Sequence, residues 1–206
     1  MSNVETKTAS FPSVKDGEVF QLAGIEFIKF PDVDGGAPRS ELGVKMPAGG
    51  RHTDKKWTPV ITRDIQFRSR FGDNNDLRSS DVLKKLQAEF LPKIVAAVGE
   101  ENVGTFRTDL TTLDGLKPYG VMESKISLPT MDFYRENVEI FDKYPVNAWW
   151  WLATPESAKP HYDPRWILCV SPSGGIYYYG LYFCLNDFGV RPFLFLKSSI
   201  FESFEE

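Results

Sequence analysis

The chain has 206 residues, of which 42% are hydrophobic and 14% aromatic, and its formal net charge is −4. This length predicts one large domain or two small ones, and because no linker separates two cores we expect one domain with an insertion. Acidic and basic residues are mixed along the chain, so nucleic-acid binding is not expected. No apolar run reaches the about 18 residues of a transmembrane helix, so membrane insertion is not expected either.

Residues 1–15 are polar and predict a flexible N-terminal arm. They lack the apolar stretch of a signal peptide, which indicates cytoplasmic synthesis; the final location stays open, and incorporation into a virion is compatible with it. Cys169 and Cys184 are expected to be reduced thiols, or at most a single bridge. His52 and His161 are isolated, so neither a metal site nor a cofactor is expected.

The N-terminal part of the chain predicts strands and a long insertion. Apolar and polar residues alternate over 18–30, which predicts a strand or a hairpin, and a strand-like pattern returns at 60–71. Residues 31–58 contain repeated Gly and Pro but few apolar side chains. We therefore expect a mobile insertion there, the least ordered long segment of the chain.

Helical patterns occur at two places. A Ser-Ser-Asp start at 79–81 is followed by apolar residues at helical spacing. Pro92 is expected to bend or interrupt this first helix, and Gly99 is expected to end it. Thr130 is the expected N-cap of a second helix that ends before Pro145.

From residue 148 onward no helical period remains. The pattern predicts short strands at 149–152, 166–170, 175–179 and 190–196, joined by turns rich in Pro, Gly and Asp. These expectations together describe an α+β protein with a β-rich C-terminal third.

Motifs of this sequence resemble those of a family of bacterial and phage domains. That family carries W-W-L-x-x-P near the start of its C-terminal third and G-V-R-P near its end, which fit Trp150–Pro155 and 189–192. Its helix start, N-x-W-x-x-S-x-(I/L)-R-x-(W/L)-L, resembles residues 75–86, with Leu77 in place of Trp. Its L-P-(S/T) motif resembles 128–130.

The family is similar to the C-type-lectin fold in its formylglycine-generating-enzyme-like branch, which also contains the hypervariable proteins of diversity-generating retroelements. The resemblance covers about residues 16–199, without 31–58. It implies a single C-type-lectin-like domain over 16–206, with two helices packed on a small antiparallel β-sheet and a loop-rich β C-terminal third. It also implies that a strand near 25–30 pairs with or lies beside a strand near 193–196.

The sequence lacks the motifs that two activities of related lectin-like proteins require. It contains neither the Glu-Pro-Asn or Gln-Pro-Asp loop nor the Trp-Asn-Asp of calcium-dependent sugar-binding lectins, so calcium-mediated sugar binding is not implied. The spacing of Cys169 and Cys184 does not reproduce the reactive pair of the oxidase branch. No catalytic residues are therefore assigned.

The region between 162 and 188 is dense in Tyr, Gly and short polar residues, a composition typical of binding surfaces. Adjacent side chains of a strand face opposite sides, so at least one of the consecutive tyrosines is expected to be exposed, and exposed aromatic patches mark interaction sites. The residues predicted to bind a ligand are Tyr162, Arg165, Trp166, Tyr177, Tyr178, Tyr179, Tyr182, Phe183, Asn186 and Asp187. The expected partner is a protein or glycan on a cell surface, and an oligomer is compatible with the sequence.

Other signals have both a functional and a structural interpretation. Trp149, Trp150 and Trp151 can form a binding platform, but alternation along a strand favours burial of at least one of them. Arg191 can contact a ligand, but a partly buried ion pair or carbonyl clamp is favoured. Residues 73–76 suggest calcium but lack the Gly and Glu of a calcium loop, so a solvated loop is favoured.

The residues support three functional hypotheses. A ligand-display or receptor-binding module with a Tyr-rich and hypervariable surface is the first. A structural virion or surface protein that assembles through its aromatic face is the alternative. An enzyme is third, because no nucleophile–base pair or metal cluster stands out in the sequence.

Overall fold

The computed structural model of this protein describes residues 11, 14–34, 44–45, 56–159, 164–177 and 183–202. It is a mixed α+β structure, made mostly of sheet. The described strands, in chain order, are β1 (Val19–Leu22), β2 (Ile25–Lys29), β3 (Val33–Asp34), β4 (Val44–Lys45), β5 (Lys56–Thr62), β6 (Phe67–Ser69), β7 (Phe106–Asp109), β8 (Val121–Ser124), β9 (Trp150–Pro155), β10 (Ile167–Val170), β11 (Ile176–Tyr177), β12 (Phe188–Val190) and β13 (Phe193–Lys197). The described α-helices are α1 (Asp81–Lys85), α2 (Leu91–Val98), α3 (Met131–Glu136) and α4 (Val138–Phe141).

The first sheet joins the two ends of the described chain. Its order is β1-β2-β5-β13, and β3 also pairs with β5. A tight turn at Ala23 and Gly24, with φ of 53° and 75°, closes the predicted hairpin β1–β2. Ile28 and Phe193 both pair with Ile61 of β5. The strands expected to pair with or lie beside each other therefore share one sheet, but β5 lies between them.

The second and third sheets lie further along the chain. The second has the order β11-β10-β9-β12-β6, in which β9 and β12 run parallel. The third has the order β4-β7-β8. The described chain thus forms three sheets, one of them with a parallel pair, where the resemblance implied one small antiparallel sheet.

The first helix starts and ends where the sequence predicts, but it passes through its proline. The Oγ of Ser80 accepts a hydrogen bond from the N–H of Leu83 at 3.0 Å and caps α1. A π-helical turn (Leu86–Phe90) then joins α1 to α2, and Pro92 lies in the first turn of α2. The wider turn removes the clash that a proline makes with the preceding α-helical turn, so the chain stays helical over 18 residues. Gly99, with φ of 86°, ends it.

The second helical region is capped as predicted and then interrupted. The Oγ1 of Thr130 accepts a hydrogen bond from the N–H of Phe133 at 3.2 Å. Asn137 leaves the helical conformation, with φ of −118° and ψ of 20°, and so separates α3 from α4. Both helices pack in the cluster between the two larger sheets: Phe133 contacts Phe193 of the first sheet, and Phe141 contacts Trp150 of the second.

The predicted arm and insertion contain ordered elements. Phe11 packs against Phe20 and Phe201, with ring centroids 5.0 and 5.9 Å away, so this residue of the predicted arm belongs to the core. Within the predicted insertion, β3 and β4 pair with β5 and β7. The rest of both segments lies outside the described residues, and the predicted mobility of the insertion stays a prediction.

Strand β9 separates two hydrophobic clusters. Trp151 belongs to the cluster that includes the first helix, whereas Trp150 belongs to the cluster that includes α3 and α4. Both rings are buried and Trp149 is half-buried, which confirms the expectation that at least one of these tryptophans is in the core. In the part of the chain that is described, no helix is both long and apolar enough to cross a membrane.

Candidate functional site: an aromatic surface and a buried arginine

The edge of the second sheet holds the described tyrosine of the predicted surface. Tyr177 of β11 pairs with Cys169, and Cys169 pairs with Trp151. Directly paired residues project to the same face of a sheet, so these three side chains lie on one side. Trp151 and Cys169 are buried, whereas Tyr177 is 45% exposed.

A series of aromatic rings connects this exposed tyrosine to the core. Tyr177 meets Trp149 edge-on with ring centroids 5.2 Å apart, and Trp149 stacks on Phe188 at 5.8 Å. Phe188 lies 4.6 Å from Trp151, whose Nε1 donates a hydrogen bond to the carbonyl of Ser69 at 2.9 Å. The inner ring is fixed by packing and by this hydrogen bond, while the outer ring meets solvent.

The turn before β12 leads directly into Phe188 of this ring series. Leu185 is 47% exposed, and Asn186 and Asp187 are exposed as well. Arg68 donates from Nε and Nη2 to the carbonyl oxygen of Asp187 at 3.2 and 2.8 Å, which fixes the backbone of the turn. Here the aromatic surface means Trp149, Tyr177, Leu185, Asn186, Asp187 and Phe188.

The loop that leads into β10 is connected through its backbone to Cys184, which directly precedes Leu185, and to Asn75. The N–H of Cys184 donates to the carbonyl of Arg165 at 3.2 Å. The side-chain amide of Asn75 donates to the carbonyls of Trp166 and Ser157 at 2.7 and 2.8 Å. Arg165 and Trp166 are half-buried, so less of each side chain is available to a ligand than of the exposed Tyr177.

Asn75 corrects the expectation that residues 73–76 form a solvated loop. Its side chain is fully buried. Its Oδ1 also accepts a hydrogen bond from the hydroxyl of Tyr119 at 2.6 Å. Because both ends of the amide are engaged, Asn75 joins three segments that are distant in sequence. Its partners lie 44 to 91 positions away, so no local pattern indicated this burial.

Several predicted ligand-binding residues lie outside the described part of the chain. They are Tyr162, Tyr178, Tyr179 and Tyr182. Phe183 begins a short 3-10 helix, Phe183–Leu185, but its side chain is not described. The convergence of these residues with Tyr177 stays a prediction.

Sequence reasoning missed Leu185 and Phe188 of the aromatic surface, and Arg68, which holds the turn before β12. Phe188 directly precedes the G-V-R-P motif, and its stacking on Trp149 completes the series of rings. Its place next to the motif was a usable signal. Arg68 had none, because it lies 119 positions from the turn that it holds.

A cavity of about 300 Å³ lies on the other face of the second sheet. Adjacent side chains of β9 point to opposite faces of the sheet, so Trp150 points toward the cavity and away from the aromatic surface. Residues from α3, α4 and the turn before β11 complete the walls. The lining includes Tyr134, Phe141, Trp150, Val170, Ser173 and Arg191.

Arg191 is buried in the wall of this cavity and is only 1% exposed. Its Nε donates to the carbonyl of Thr62 at 3.0 Å, which is the carbonyl clamp that the sequence favoured. Its guanidinium carbon lies 4.8 Å from the ring centroid of Trp150 and 5.3 Å from that of Phe141. Its Nη2 is buried without a hydrogen-bond partner among the described residues. Burial lowers the pKa of Arg191 to about 10, and the nearby charge of Asp64 opposes this shift, so the side chain remains a cation at neutral pH.

The cysteines lie in the interior. Cys169 and Cys184 are buried thiols. Burial raises the pKa of the Cys169 thiol to about 12, so it stays protonated and poorly nucleophilic at neutral pH. Within the described ranges, no three side chains of His, Cys, Asp or Glu are grouped as a metal site requires.

No family model, no curated protein and no solved structure matches this chain. A functional conclusion therefore depends on the geometry of the aromatic surface and of the cavity.

Proposed function

We propose that this chain is a ligand-binding module. Its aromatic surface binds a protein or a glycan that is displayed on a cell surface, and it catalyses no reaction there. The ring series from buried Trp151 to exposed Tyr177 is the observation that carries the proposal. Rings that are already fixed lose little conformational entropy on binding, so their contact area is converted efficiently into affinity.

The surroundings of the exposed ring support the same function. Leu185 adds an exposed apolar side chain, and Asn186 and Asp187 add hydrogen-bonding groups at its rim. An apolar centre with a polar rim is the usual arrangement of a binding interface. The segment 178–182 connects Tyr177 to the 3-10 helix that ends at Leu185, and it contributes three further tyrosines by sequence.

The proposal includes a C-type-lectin-like scaffold related to the variable proteins of diversity-generating retroelements. Ser80 and Thr130 cap helices at the two motif positions, and β2 and β13 belong to one sheet although β5 lies between them, which supports this scaffold. The retroelement relation predicts a reverse transcriptase gene beside a near-copy of the region coding for 149–192, altered mainly at adenines. A gene neighbourhood without either would reject that relation and leave the binding proposal standing.

The experiment identifies a ligand and then compares two matched surface variants. The purified chain is applied to a glycan array and to a phage-displayed peptide library, and the strongest hit is titrated. Leu185→Ser alters the aromatic surface, whereas Val121→Ser alters a side chain of similar exposure, 41% against 47%, on the third sheet. Loss of a central anchor weakens binding by about tenfold or more, so we expect this of Leu185→Ser and no change of Val121→Ser.

Two results would reject the proposal. The first is an equal effect of both variants, and the second is the absence of any ligand in either library. Light scattering tests the alternative of a structural protein. A stable assembly of wild-type chains that Leu185→Ser dissociates would indicate that the aromatic surface binds other copies of the chain.

A further inference from the structure

The cavity behind the second sheet contains a charged donor without an acceptor. Arg191 is almost fully buried, and its Nε is occupied by the carbonyl of Thr62. Among the described residues, the Nη2 has no hydrogen-bond partner, and Asp64 acts on the guanidinium only as a nearby charge. Most buried polar groups in native proteins are satisfied, so an unpaired cationic donor beside a cavity indicates a missing acceptor.

The walls of the cavity define the class of that acceptor. Trp150 and Phe141, the rings that pack on the guanidinium, also line the cavity and offer apolar contact area. The hydroxyl of Tyr134 already donates to the carbonyl of Gly174 at 2.8 Å, so this hydroxyl proton is engaged. A guanidinium matches the geometry of a carboxylate better than that of a neutral acceptor. A volume of about 300 Å³ is at the small end of ligand pockets.

We propose that this cavity binds a small carboxylic acid, with its carboxylate accepting from Nη2 of Arg191 and its apolar or aromatic body packed on Trp150 and Phe141. The cavity and the aromatic surface lie on opposite faces of β9. This site therefore adds to the proposed function and does not depend on it.

One acidic side chain makes it possible to test whether the bound molecule carries a negative charge. Asp142 lines the cavity and is exposed at its mouth. Its negative charge opposes the entry of a carboxylate but does not oppose that of a neutral molecule. Asp142→Asn is therefore expected to strengthen the binding of a carboxylate selectively.

The experiment titrates the whole, ¹⁵N-labelled chain with benzoate and with its neutral analogue benzamide. Benzoate is expected to shift the amide signals of Ser173 and Gly174, which line the cavity. Benzamide is expected to bind at least about tenfold more weakly, because its neutral amide oxygen accepts a weaker hydrogen bond from the guanidinium than a carboxylate does. Asp142→Asn is expected to lower the Kd of benzoate by a few-fold and to leave that of benzamide unchanged.

Two variants locate the binding. Arg191→Lys keeps the charge and loses the planar fork, so benzoate affinity is expected to fall at least about tenfold. Ser173→Phe places a ring at the exposed edge of the cavity without replacing Arg191, and it is expected to block benzoate. This second variant and Asp142→Asn keep the test decisive if Arg191→Lys does not fold.

Several outcomes would overturn the assignment. They are the absence of shifts with millimolar benzoate, equal affinity for benzoate and benzamide, and shifts confined to the basic groove around Arg68, Arg70, Lys84 and Lys85. A dipeptide whose C-terminal residue is phenylalanine is titrated as a further probe. If that dipeptide bound and benzoate did not, the acceptor would be a chain terminus instead of a small acid.

Discussion

Gly189 and Ile65 are in contact so close that no side chain fits between them. A Cβ at Gly189 would lie 2.2 Å from Cδ1 and 2.6 Å from Cγ1 of Ile65. The N–H of Gly189 also donates to the carbonyl of Trp149 at 2.8 Å. The glycine of the G-V-R-P motif therefore leaves the space that Ile65 fills, and a Cβ there would also lie only 3.1 Å from the carbonyl oxygen of Trp149 on the neighbouring chain segment.

Gly189→Ala is expected to destabilise the fold by about 1–3 kcal/mol, because the new methyl group overpacks a filled site. Urea unfolding measures this loss. Combining it with Ile65→Ala removes the two clashing atoms, so the double variant is expected to lose less stability than the sum of the single variants. Additive losses would show that the contact with Ile65 is not the cause.

The ring series predicts a gradient of stability from the surface to the core. Tyr177→Ser removes one partly exposed edge contact and is expected to lower the free energy of unfolding by less than about 1 kcal/mol. Trp151→Ala removes a fully buried ring and is expected to lower it by about 3–5 kcal/mol. Urea midpoints of the two variants check this order, and similar losses would place Tyr177 in the core.

Asn75→Ala is expected to destabilise the fold by about 3 kcal/mol, because two carbonyls and one hydroxyl lose a buried partner. Asn186→Ala is the matched control, since Asn186 is exposed, and it is expected to change stability by less than about 0.5 kcal/mol. Thermal unfolding compares the two. A small loss for Asn75→Ala would mean that water replaces the amide without penalty.

The sequence predicted local features of this fold better than distant ones. Ser80 and Thr130 cap their helices because capping depends on residues three positions away. Pro92 was expected to bend or interrupt its helix, and the α-helix is indeed interrupted before it; that the interruption is a π-helical turn, which keeps the chain helical, was not anticipated. The hairpin of β7 and β8 was not anticipated at all.

In the candidate site, too, local features could be predicted from the sequence and distant contacts could not. Strand alternation predicted that at least one of the consecutive tyrosines is exposed, and the 45% exposure of Tyr177 confirms this. The cavity was not, because its walls combine segments from α3 to β13 that only the folded chain brings together. The unpaired Nη2 of Arg191 likewise depends on which carbonyls and carboxylates lie within reach.

Glu156 predicts a pH dependence of stability. Its Oε2 is buried without a hydrogen-bond partner among the described residues, and burial, together with the charge of Asp114, raises its pKa above the usual 4.5. An acid whose pKa is raised by folding favours the folded state while protonated and loses that contribution as pH rises through the folded pKa. Glu156→Gln is therefore expected to raise stability at pH 8 by about 1 kcal/mol.

The gain from Glu156→Gln is expected to disappear as the pH falls below 4.5, where the wild-type carboxyl is protonated as well. Urea unfolding of both proteins across this range measures the difference. A gain of equal size at acidic and at alkaline pH would show that the charge of Glu156 is not responsible.

The most direct test of the proposed function measures ligand affinity and the urea midpoint together for the wild-type chain, Tyr177→Ser and Val121→Ser. The account predicts that Tyr177→Ser weakens binding by about tenfold or more with a nearly unchanged midpoint, whereas Val121→Ser changes neither quantity. If Tyr177→Ser bound the ligand as tightly per folded molecule as the wild type does, the aromatic surface would not be the binding site.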